Sequence, residues 1–314
     1  MKYVFGVDIG GMSIKIGLVD LDGNILLKET VKTDKNPAKL VDDIANLINE
    51  MLKKKDLSLD DVLGVGAGCP GMINSVKGTV DCWENLDWID VELVSMLKEK
   101  LGVPVKLTND ANAAIMAEVL WGTAKNYKNA VMLTLGTGVG GGVVIDGKLF
   151  EGGEGKGTEL GHITIVKDGV YCNCGRKGCL EVYASATALM NQTKDAMLED
   201  KNSLMWKLVN DNIDNVNGKI PFEASKHGDL TAIKVVDKYV EYLSDGIMSL
   251  LNVFRPEILL IGGGVSCVGD YLINKVKAYC DKYYYGMNKT PIPEIKVASL
   301  GNDAGILGAA SLIM

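Results

Sequence analysis

The chain has 314 residues, of which 47% are hydrophobic and 23% are charged, and its formal net charge is −7. This length permits two domains with a sizeable core, and the composition is ordinary for a soluble protein. The acidic balance argues against an extended nucleic-acid surface, and no apolar run is long enough to span a membrane. The first residues lack the apolar length of a signal peptide, so the seven cysteines favour a reducing cytoplasm. We therefore expect a cytoplasmic protein without nucleic-acid or membrane partners.

Residues 1–112 show an alternation of β-branched runs and amphipathic stretches. Pro37 opens a helix with apolar residues on one face, and three lysines end it. This β-α-β rhythm predicts an α/β lobe that ends near residue 112. The predicted elements are strands over 3–9, 14–20, 25–31, 63–68 and 104–107, a helix from 37 to about 52, a loop over 83–88 and a helix up to 101.

The sequence pattern over residues 113–301 predicts a second and larger α/β lobe. The segment 151–158 is too glycine-rich to fold by itself, which is typical of functional loops. Because no linker-like stretch is present, we expect two compactly joined lobes with a cleft between them. The predicted elements are a helix from 110 to about 121, helices over 184–198, 200–210 and 229–253, a strand that ends at a glycine turn near 262, a helix near 268–283, a strand near 294–299 and a helix from 304 to about 313.

Two glycine-rich hairpins, over 7–23 and 133–147, organise the rest of the chain. Each joins two strands through a glycine turn and closes on Asp-Gly. Glycine lets the backbone approach a ligand closely, and such a turn presents successive N–H groups to an anion. A plain hairpin turn is the commoner explanation for either motif alone. The repetition, with hydroxyls from Ser13 and Thr137, favours a duplicated lobe that holds a phosphate chain between the copies.

A cluster of metal-ligating residues follows the second hairpin. His162 precedes Cys172, Cys174 and Cys179, and three thiolates with one imidazole are a ligand set for a closed tetrahedral zinc site. Unrelated buried thiols or a disulfide are the alternative. Four protein ligands leave no position for water, so we expect structural zinc. The other cysteines are interpreted as small buried residues: Cys69, Cys82, Cys267 and Cys280.

Asp110 has two interpretations. A helix-capping role for the Asn109-Asp110 pair is the default explanation at a helix start. The pair also follows a strand end directly, where α/β folds bind ligands. A carboxylate there can take the proton from a substrate hydroxyl that attacks a γ-phosphate.

Two further polar residues belong to the same chain region as the zinc motif. Glu159 lies three residues before His162, and Glu181 lies two residues after the last cysteine. Each alone is most simply a surface charge. If one metal loop holds them together, they converge as acceptors for vicinal hydroxyls, which is what polyol recognition requires.

These residues together resemble the ROK family of sugar kinases and sugar-responsive repressors. The matching motifs follow one another along essentially the whole chain, and the cysteine motif is highly specific. They are Asp8–Gly11, Gly68–Gly71, Asn85–Trp88, Asn109–Asn112, Leu135–Gly142, Glu159–His162, Cys172–Glu181, Leu260–Gly264 and Leu300–Gly305.

The resemblance implies a duplicated actin-like (ribonuclease H-like) two-lobe sugar kinase fold with an interlobe cleft. Residues 302–314 are then expected to pack back onto the first lobe. Mg-ATP is the implied co-substrate, Zn²⁺ has a structural role, and homodimers are usual in the family.

The resemblance also implies residue roles. It makes Asp110 the catalytic base and puts Asp8 near the Mg²⁺–phosphate group. One ring nitrogen of His162 would bind zinc while the other faces the sugar. The implied sugar contacts are Asn85, Asn109, Asp110, Glu159, His162 and Glu181. The implied nucleotide contacts are Asp8, Gly10, Gly11, Met12, Ser13, Lys15, Gly136, Thr137, Gly138 and, near the adenosine, Gly263.

The first glycine turn departs from the family pattern. It usually contains Gly-Gly-Thr, and here Met12 replaces the threonine. A hydroxyl is lost at the phosphate turn, and Ser13 is the neighbouring hydroxyl that could replace it. The departure concerns ATP binding rather than catalysis.

The leading hypothesis is a kinase that transfers the γ-phosphate of Mg-ATP to the 6-hydroxyl of glucose. A kinase for N-acetylglucosamine, N-acetylmannosamine or fructose is the alternative, decided by the volume beside the sugar C2, near Gly71 and Gly157-Thr158. Polyphosphate is an alternative donor. A sugar-sensing repressor is disfavoured, because only seven residues precede Asp8 where the family's repressors carry a DNA-binding domain. A sugar-binding protein without turnover is the third hypothesis, which the intact Asp110 disfavours.

Overall fold

The structure is a computed structural model, and it describes residues 2–286 and 289–314. The described chain contains both strands and helices. The strands are β1 (Tyr3–Ile9), β2 (Ser13–Asp20), β3 (Ile25–Lys32), β4 (Val62–Cys69), β5 (Met72–Asn74), β6 (Thr79–Trp83), β7 (Trp88–Val91), β8 (Val105–Asn109), β9 (Ala130–Leu135), β10 (Val139–Ile145), β11 (Lys148–Leu149), β12 (Ile258–Gly262) and β13 (Glu294–Val297). The α-helices are α1 (Pro37–Lys54), α2 (Leu93–Leu101), α3 (Asp110–Trp121), α4 (Glu181–Ala184), α5 (Ala186–Glu199), α6 (Leu204–Leu208), α7 (Ile220–Lys226), α8 (Leu230–Phe254), α9 (Asp270–Tyr283) and α10 (Ala304–Ser311).

Two five-stranded sheets have the same kind of strand order. The first runs β3-β2-β1-β4-β8, and the second runs β11-β10-β9-β12-β13. In the first sheet β1 pairs antiparallel with β2 and parallel with β4, while in the second sheet β12 is parallel to both β9 and β13. A hairpin followed by parallel crossover strands therefore occurs twice. The predicted duplicated, actin-like α/β fold is confirmed.

The first helix illustrates how sequence pattern becomes packing. Asn36 caps α1, because its side chain accepts the N–H groups of Ala38 and Lys39, and Pro37 occupies the first turn. The apolar face is buried in the core of the first sheet. Full burial of one such side chain contributes about 2 kcal/mol to the free energy of unfolding. The buried positions of α1 are Leu40, Val41, Ile44, Ala45, Ile48, Met51 and Leu52.

The segment 72–91, part of which was predicted as a loop over 83–88, instead forms a third, antiparallel sheet in the order β5-β6-β7. Trp83 and Trp88 pair across it, with ring centroids 5.4 Å apart in a T-shaped arrangement. Both rings are buried. Its strands have three, five and four residues, which is too short for a clear alternation, and therefore the sequence pattern did not predict them.

Two helices between residues 200 and 226 differ from the sequence-based prediction. The predicted helix over 200–210 is reduced to α6, because Ser203 caps the N–H of Met205 and the preceding residues end α5. Helix α7 was not predicted, since it has seven residues and Pro221 in its first turn. Among the described residues, no helix combines the length and the apolar character needed to cross a bilayer.

The chain divides into two compact units. The first unit does not end near residue 112, because it includes α3, whose residues lie against α10. Gly308 of α10 approaches so closely that a Cβ there would come within 1.7 Å of the Ala113 carbonyl oxygen. The first unit comprises Met1–Lys128, Gly142–Thr158 and Ser299–Met314, and the second comprises Asn129–Gly141 and Glu159–Ala298.

Candidate active site

The carboxyl ends of three neighbouring parallel strands bring Asp8, Cys69 and Asn109 to one edge of the first sheet. Strand β4 lies between β1 and β8, with Cys69 opposite Asn109. Asp110 follows as the first residue of α3 and therefore lies at the same edge. Open α/β sheets bind their ligands at this end.

The pKa of the Asp110 carboxyl is raised above its ordinary value. Burial raises the pKa of its carboxyl, the Ala111 N–H that donates to Oδ1 at 2.9 Å opposes this, and the Asp8 carboxylate raises the pKa again. Burial and then the same two carboxylates raise the pKa of the Cys69 thiol. Asp8 and Asp110 thus share one electrostatic environment. A carboxyl whose pKa is raised towards the operating pH is the more effective general base.

Asp8 has two specific neighbours. The Lys15 Nζ lies 3.1 Å from its Oδ2. On the other side, Gly305 in the first turn of α10 lies so close that a Cβ there would come within 2.6 Å of the Asp8 carboxyl carbon. The carboxylate is therefore held against the first turn of α10.

Asn109 connects the strand edge to the small sheet. Its Oδ1 caps α3 by accepting the Ala111 N–H at 2.8 Å, and its Nδ2 donates to the Gly71 carbonyl at 3.4 Å. Gly71 (φ +96°) packs against the backbone of Cys82 and the side chain of Trp83. Asn85 lies two residues later, exposed in a 3-10 turn. These contacts link the hairpin that carries Asn85 to the edge that carries Asp110.

A threonine outside the motif supports the first glycine turn. Gly10 N–H donates to the Ser13 carbonyl at 3.0 Å, and Gly11 is exposed. The Thr33 hydroxyl donates to the Gly10 carbonyl at 2.6 Å, and the Thr33 N–H donates to the Met12 carbonyl at 3.1 Å. The Met12 side chain is 87% exposed. Thr33 could not be identified from the sequence, because no local pattern connects it with a turn more than 20 residues earlier.

The second glycine turn has a similar support. The Thr187 hydroxyl donates to the Thr137 carbonyl at 2.8 Å, and the Ala186 N–H donates to the Gly136 carbonyl at 2.8 Å. Both donors lie in the first turn of α5. Gly263 (φ +80°) packs against the Leu135 backbone just before the turn, where a Cβ would come within 2.5 Å of the carbonyl oxygen.

Glu181 joins this turn to the cysteine cluster. Its Oε2 accepts the Val139 N–H at 2.9 Å, and a Cβ on Gly138 would lie 2.3 Å from the same oxygen. The Cys172 thiol donates to Oε1 at 3.9 Å. The sequence predicted Glu181 only as a sugar contact, because the turn lies about 40 residues earlier in the chain.

The predicted zinc ligands converge. The ligand atoms of His162, Cys172, Cys174 and Cys179 all lie within 4.8 Å of one another. The Sγ atoms of Cys174 and Cys179 are 3.6 Å apart, and Cys172 Sγ is 3.6 Å from His162 Nδ1. Tetrahedral Zn–S bonds of about 2.3 Å require ligand separations of about 3.8 Å. The donor set and its spacing therefore fit Zn²⁺.

His162 presents its two nitrogens differently. Nδ1 faces Cys172, so Nε2 is the nitrogen that can meet another ligand. The residue lies in the 3-10 turn Leu160–His162, where its backbone N–H donates to the carbonyl of the exposed Glu159 at 3.1 Å.

Outside the cluster, the expectation of buried cysteines is correct for Cys69 and Cys280 and wrong for two exposed thiols, Cys82 and Cys267.

The site residues form two groups, one in each unit. In the first unit the strand edge and the first turn hold Asp8, Gly10, Gly11, Met12, Ser13, Lys15, Asn109 and Asp110, with Asn85 on the adjoining hairpin. In the second unit the glycine turn and the cysteine cluster hold Gly136, Thr137, Gly138, Gly263, Glu159, His162, Cys172, Cys174, Cys179 and Glu181.

The match to a known protein family covers nearly the whole chain. The ROK family model matches residues 4–314. The chain belongs to the ROK family.

Relatives within the family include both enzymes and regulators. A glucokinase of Thermotoga maritima is 38% identical over 99% of this chain and 96% of its own length. The crystal structure of a ROK family glucokinase from Streptomyces griseus, in complex with glucose and AMPPNP, has a TM-score of 0.84 and 33% identity, and the match covers 99% of this chain and 98% of that one. A xylose repressor of Caldicellulosiruptor bescii is 30% identical over 99% of this chain and 78% of its own length. Family membership alone therefore does not decide between catalysis and sensing.

Proposed function

We propose that the chain is an ATP-dependent glucokinase, with Asp110 as the general base for transfer of the γ-phosphoryl group of Mg-ATP to the 6-hydroxyl of glucose. The observation that carries this is Asp110 itself: a half-buried carboxyl at the carboxyl ends of parallel strands, with a pKa raised by burial. The similarity to two glucokinases supports glucose as the sugar and ATP as the donor.

Asp110 acts on the attacking hydroxyl. Oδ1 is oriented by the Ala111 N–H, so the carboxylate cannot rotate freely. It accepts the proton of the 6-hydroxyl as the oxygen bonds to the γ-phosphorus and the bond from phosphorus to the bridging oxygen of ADP breaks. The products are glucose 6-phosphate and ADP. A fixed carboxylate contributes about 10²- to 10⁴-fold to such a step.

The sugar is bound by fixed hydrogen-bonding groups. We assign Asn85, Asn109 and Asp110 from the first unit to its hydroxyls. From the second unit we assign the carboxylates of Glu159 and Glu181 and the Nε2 of His162. A site whose polar groups each require a hydroxyl rejects analogues that lack one.

The nucleotide is bound by the two glycine turns. We assign the turns Gly10–Ser13 and Gly136–Gly138, with Lys15, to the phosphates, and Gly263 to the side of the adenosine. Asp8 is the carboxylate for the hydrated Mg²⁺ of Mg-ATP, since Mg²⁺ prefers oxygen ligands and usually keeps several waters.

Zinc would be held by the Cys₃His cluster, where it supplies no reacting group. The cluster residues do the positioning: His162 would have its ring fixed through Nδ1, and Cys172 contacts the carboxylate of Glu181. The metal site would thus orient two of the proposed sugar contacts. Following the family, we also propose a homodimer, which sedimentation analysis tests directly.

The test is ADP release from Mg-ATP with glucose, N-acetylglucosamine, N-acetylmannosamine and fructose measured in parallel. Asp110→Asn serves as the inactive control, and polyphosphate replaces ATP in a second series. Turnover confined to glucose supports the proposal in full. Turnover with another sugar keeps the mechanism and changes the substrate, whereas sugar binding without any turnover makes the chain a sugar-binding regulator.

A further inference from the structure

The segment Glu151–Thr158 is a loop that depends on side-chain anchors for its order. It contains four glycines, and its only regular structure is a 3-10 turn over Gly153–Gly155. Ordering such a segment costs more conformational entropy than ordering an average one. Its anchors lie within the first unit and are specific.

The first anchor is Glu151, at the start of the loop. Its Oε1 accepts the hydroxyl of Thr108 at 2.6 Å, and its Oε2 accepts the hydroxyl of Ser75 at 3.1 Å. Thr108 is 1% exposed and lies in β8, two residues before Asp110. The loop is thereby attached to the strand that leads into Asp110.

The second anchor is Thr158, at the end of the loop. Its hydroxyl donates to Asn112 Oδ1 at 3.1 Å. Asn112 is 1% exposed and lies in the first turn of α3, two residues after Asp110. Between the anchors, Lys156 pairs with Asp81 at 2.8 Å. One loop therefore contacts the chain on both sides of Asp110.

Thr158 adopts a backbone conformation that threonine disfavours. Its φ is +72°, and it is the one β-branched residue among the described non-glycine residues with positive φ. Such a conformation costs about 1–3 kcal/mol and persists only where the surroundings hold it. A glycine would adopt this φ without strain but could not donate to Asn112.

We propose that Glu151 and Thr158 are positioning residues that clamp the polypeptide on both sides of Asp110 and so fix its carboxylate for proton transfer. The proposal rests on the proposed role of Asp110. Neither residue needs to touch the substrate, because each acts through a buried polar neighbour of the base. A misplacement of about 1 Å at a reacting group can cost about 100-fold in rate.

The experiment compares Thr158→Val, which removes only the hydroxyl, with Thr158→Ser, which keeps it. Removing the hydroxyl is expected to lower kcat by about 10- to 100-fold, while the KM for the sugar stays within about three-fold. Thr158→Ser should restore kcat. Glu151→Ala should lower kcat in the same way, with partial recovery in Glu151→Gln. Thr30→Val, on the exposed face of edge strand β3, is the matched control, and its kcat and KM should equal those of the unaltered chain.

Folding is separated from positioning by Thr158→Gly. This variant loses the hydroxyl, but glycine adopts the same positive φ without strain. Its Tm should therefore stay equal or rise, while kcat remains low. Normal kcat in both Thr158→Val and Thr158→Gly, with Asp110→Asn inactive, would overturn the clamp and leave the proposed function intact. Turnover by Asp110→Asn would instead overturn the proposed base, and the clamp with it.

Discussion

The carboxylate of Glu181 accepts the backbone N–H of Val139 at 2.9 Å, directly after the second glycine turn. The same carboxylate receives the thiol of Cys172. One side chain therefore connects the proposed phosphate turn, the proposed zinc cluster and the proposed sugar contacts. A change at the turn should be detected at the sugar site.

Gly138→Ala tests this connection. The new Cβ would lie 2.3 Å from Glu181 Oε2, so the carboxylate must move away and lose the Val139 N–H. We expect a loss of about 1 kcal/mol in the free energy of unfolding, since one hydrogen bond is lost, and a weaker affinity for the sugar. Chemical denaturation and sugar titration measure the two effects. Gly218→Ala is the control, because its Cβ would meet open space. Unchanged sugar affinity in Gly138→Ala would contradict a functional link through Glu181.

Asp110→Asn should stabilise the folded chain at neutral pH while it removes activity. The folded-state pKa of Asp110 is raised above its ordinary value, mainly by burial. The folded chain therefore binds this proton more tightly than the unfolded chain, and stability is lost as the pH rises through the folded-state pKa. Asparagine removes that loss, so Tm should rise at pH 7 and the difference should vanish at pH values below 3.8. Thermal unfolding across pH measures it, with the exposed Asp56→Asn as control. A lower Tm for Asp110→Asn at pH 7 would argue against a destabilising buried charge.

The acidic limb of the kcat/KM profile should depend on Asp8. Because the Asp8 carboxylate raises the pKa of Asp110, Asp8→Asn should shift the midpoint of this limb to lower pH. The total rate also falls, so the midpoint is the quantity to compare. Initial rates from pH 4 to 8 supply it. A midpoint that stays in place or moves to higher pH would show that Asp110 is not the titrating base, or that Asp8 does not act on it.

Purified protein should contain about one zinc ion per chain, because four protein ligands complete the tetrahedral site. Cys174→Ser should lose the metal and lower both Tm and sugar affinity, since metal binding is coupled to folding of the loop. Elemental analysis and thermal unfolding test this. Cys267→Ser replaces another exposed thiol and should leave the zinc content, the Tm and the sugar affinity unchanged. Metal-free native protein with full stability would rule out a structural zinc.

Met12→Thr should leave the fold unchanged, because an 87% exposed side chain makes few packing contacts. We expect a stability change within about 0.5 kcal/mol. The KM for ATP should stay the same or decrease, since the added hydroxyl lies at the phosphate turn, while the KM for the sugar should not move. Steady-state kinetics with either substrate varied gives both values. Met72→Thr controls for the loss of an exposed methionine. A large rise in the KM for ATP would show that Met12 has a role that its exposure does not indicate.

Local sequence patterns were sufficient to predict several features of the fold. Hydrophobic periodicity and glycine turns predicted the strands of both sheets, apart from the two-residue β11, and the duplication. The spacing of His162 and three cysteines predicted a cluster whose atoms converge. These signals lie within short stretches of chain, where residue order and spatial proximity coincide. The roles of Asp110, Glu159 and the glycine turns stay predictions that the experiments above address.

Contacts between residues that lie far apart in the sequence became visible only in the folded chain. The contacts of Thr33 with the Gly10 carbonyl, Glu151 with Thr108 and Thr158 with Asn112 each join residues more than 20 positions apart in the sequence. No period or motif encodes such pairs, because a hydrogen bond of about 3 Å depends on how sheets and helices pack rather than on order along the chain. The raised pKa of Asp110 has the same origin, since burial and the approach of Asp8 exist only in the folded chain.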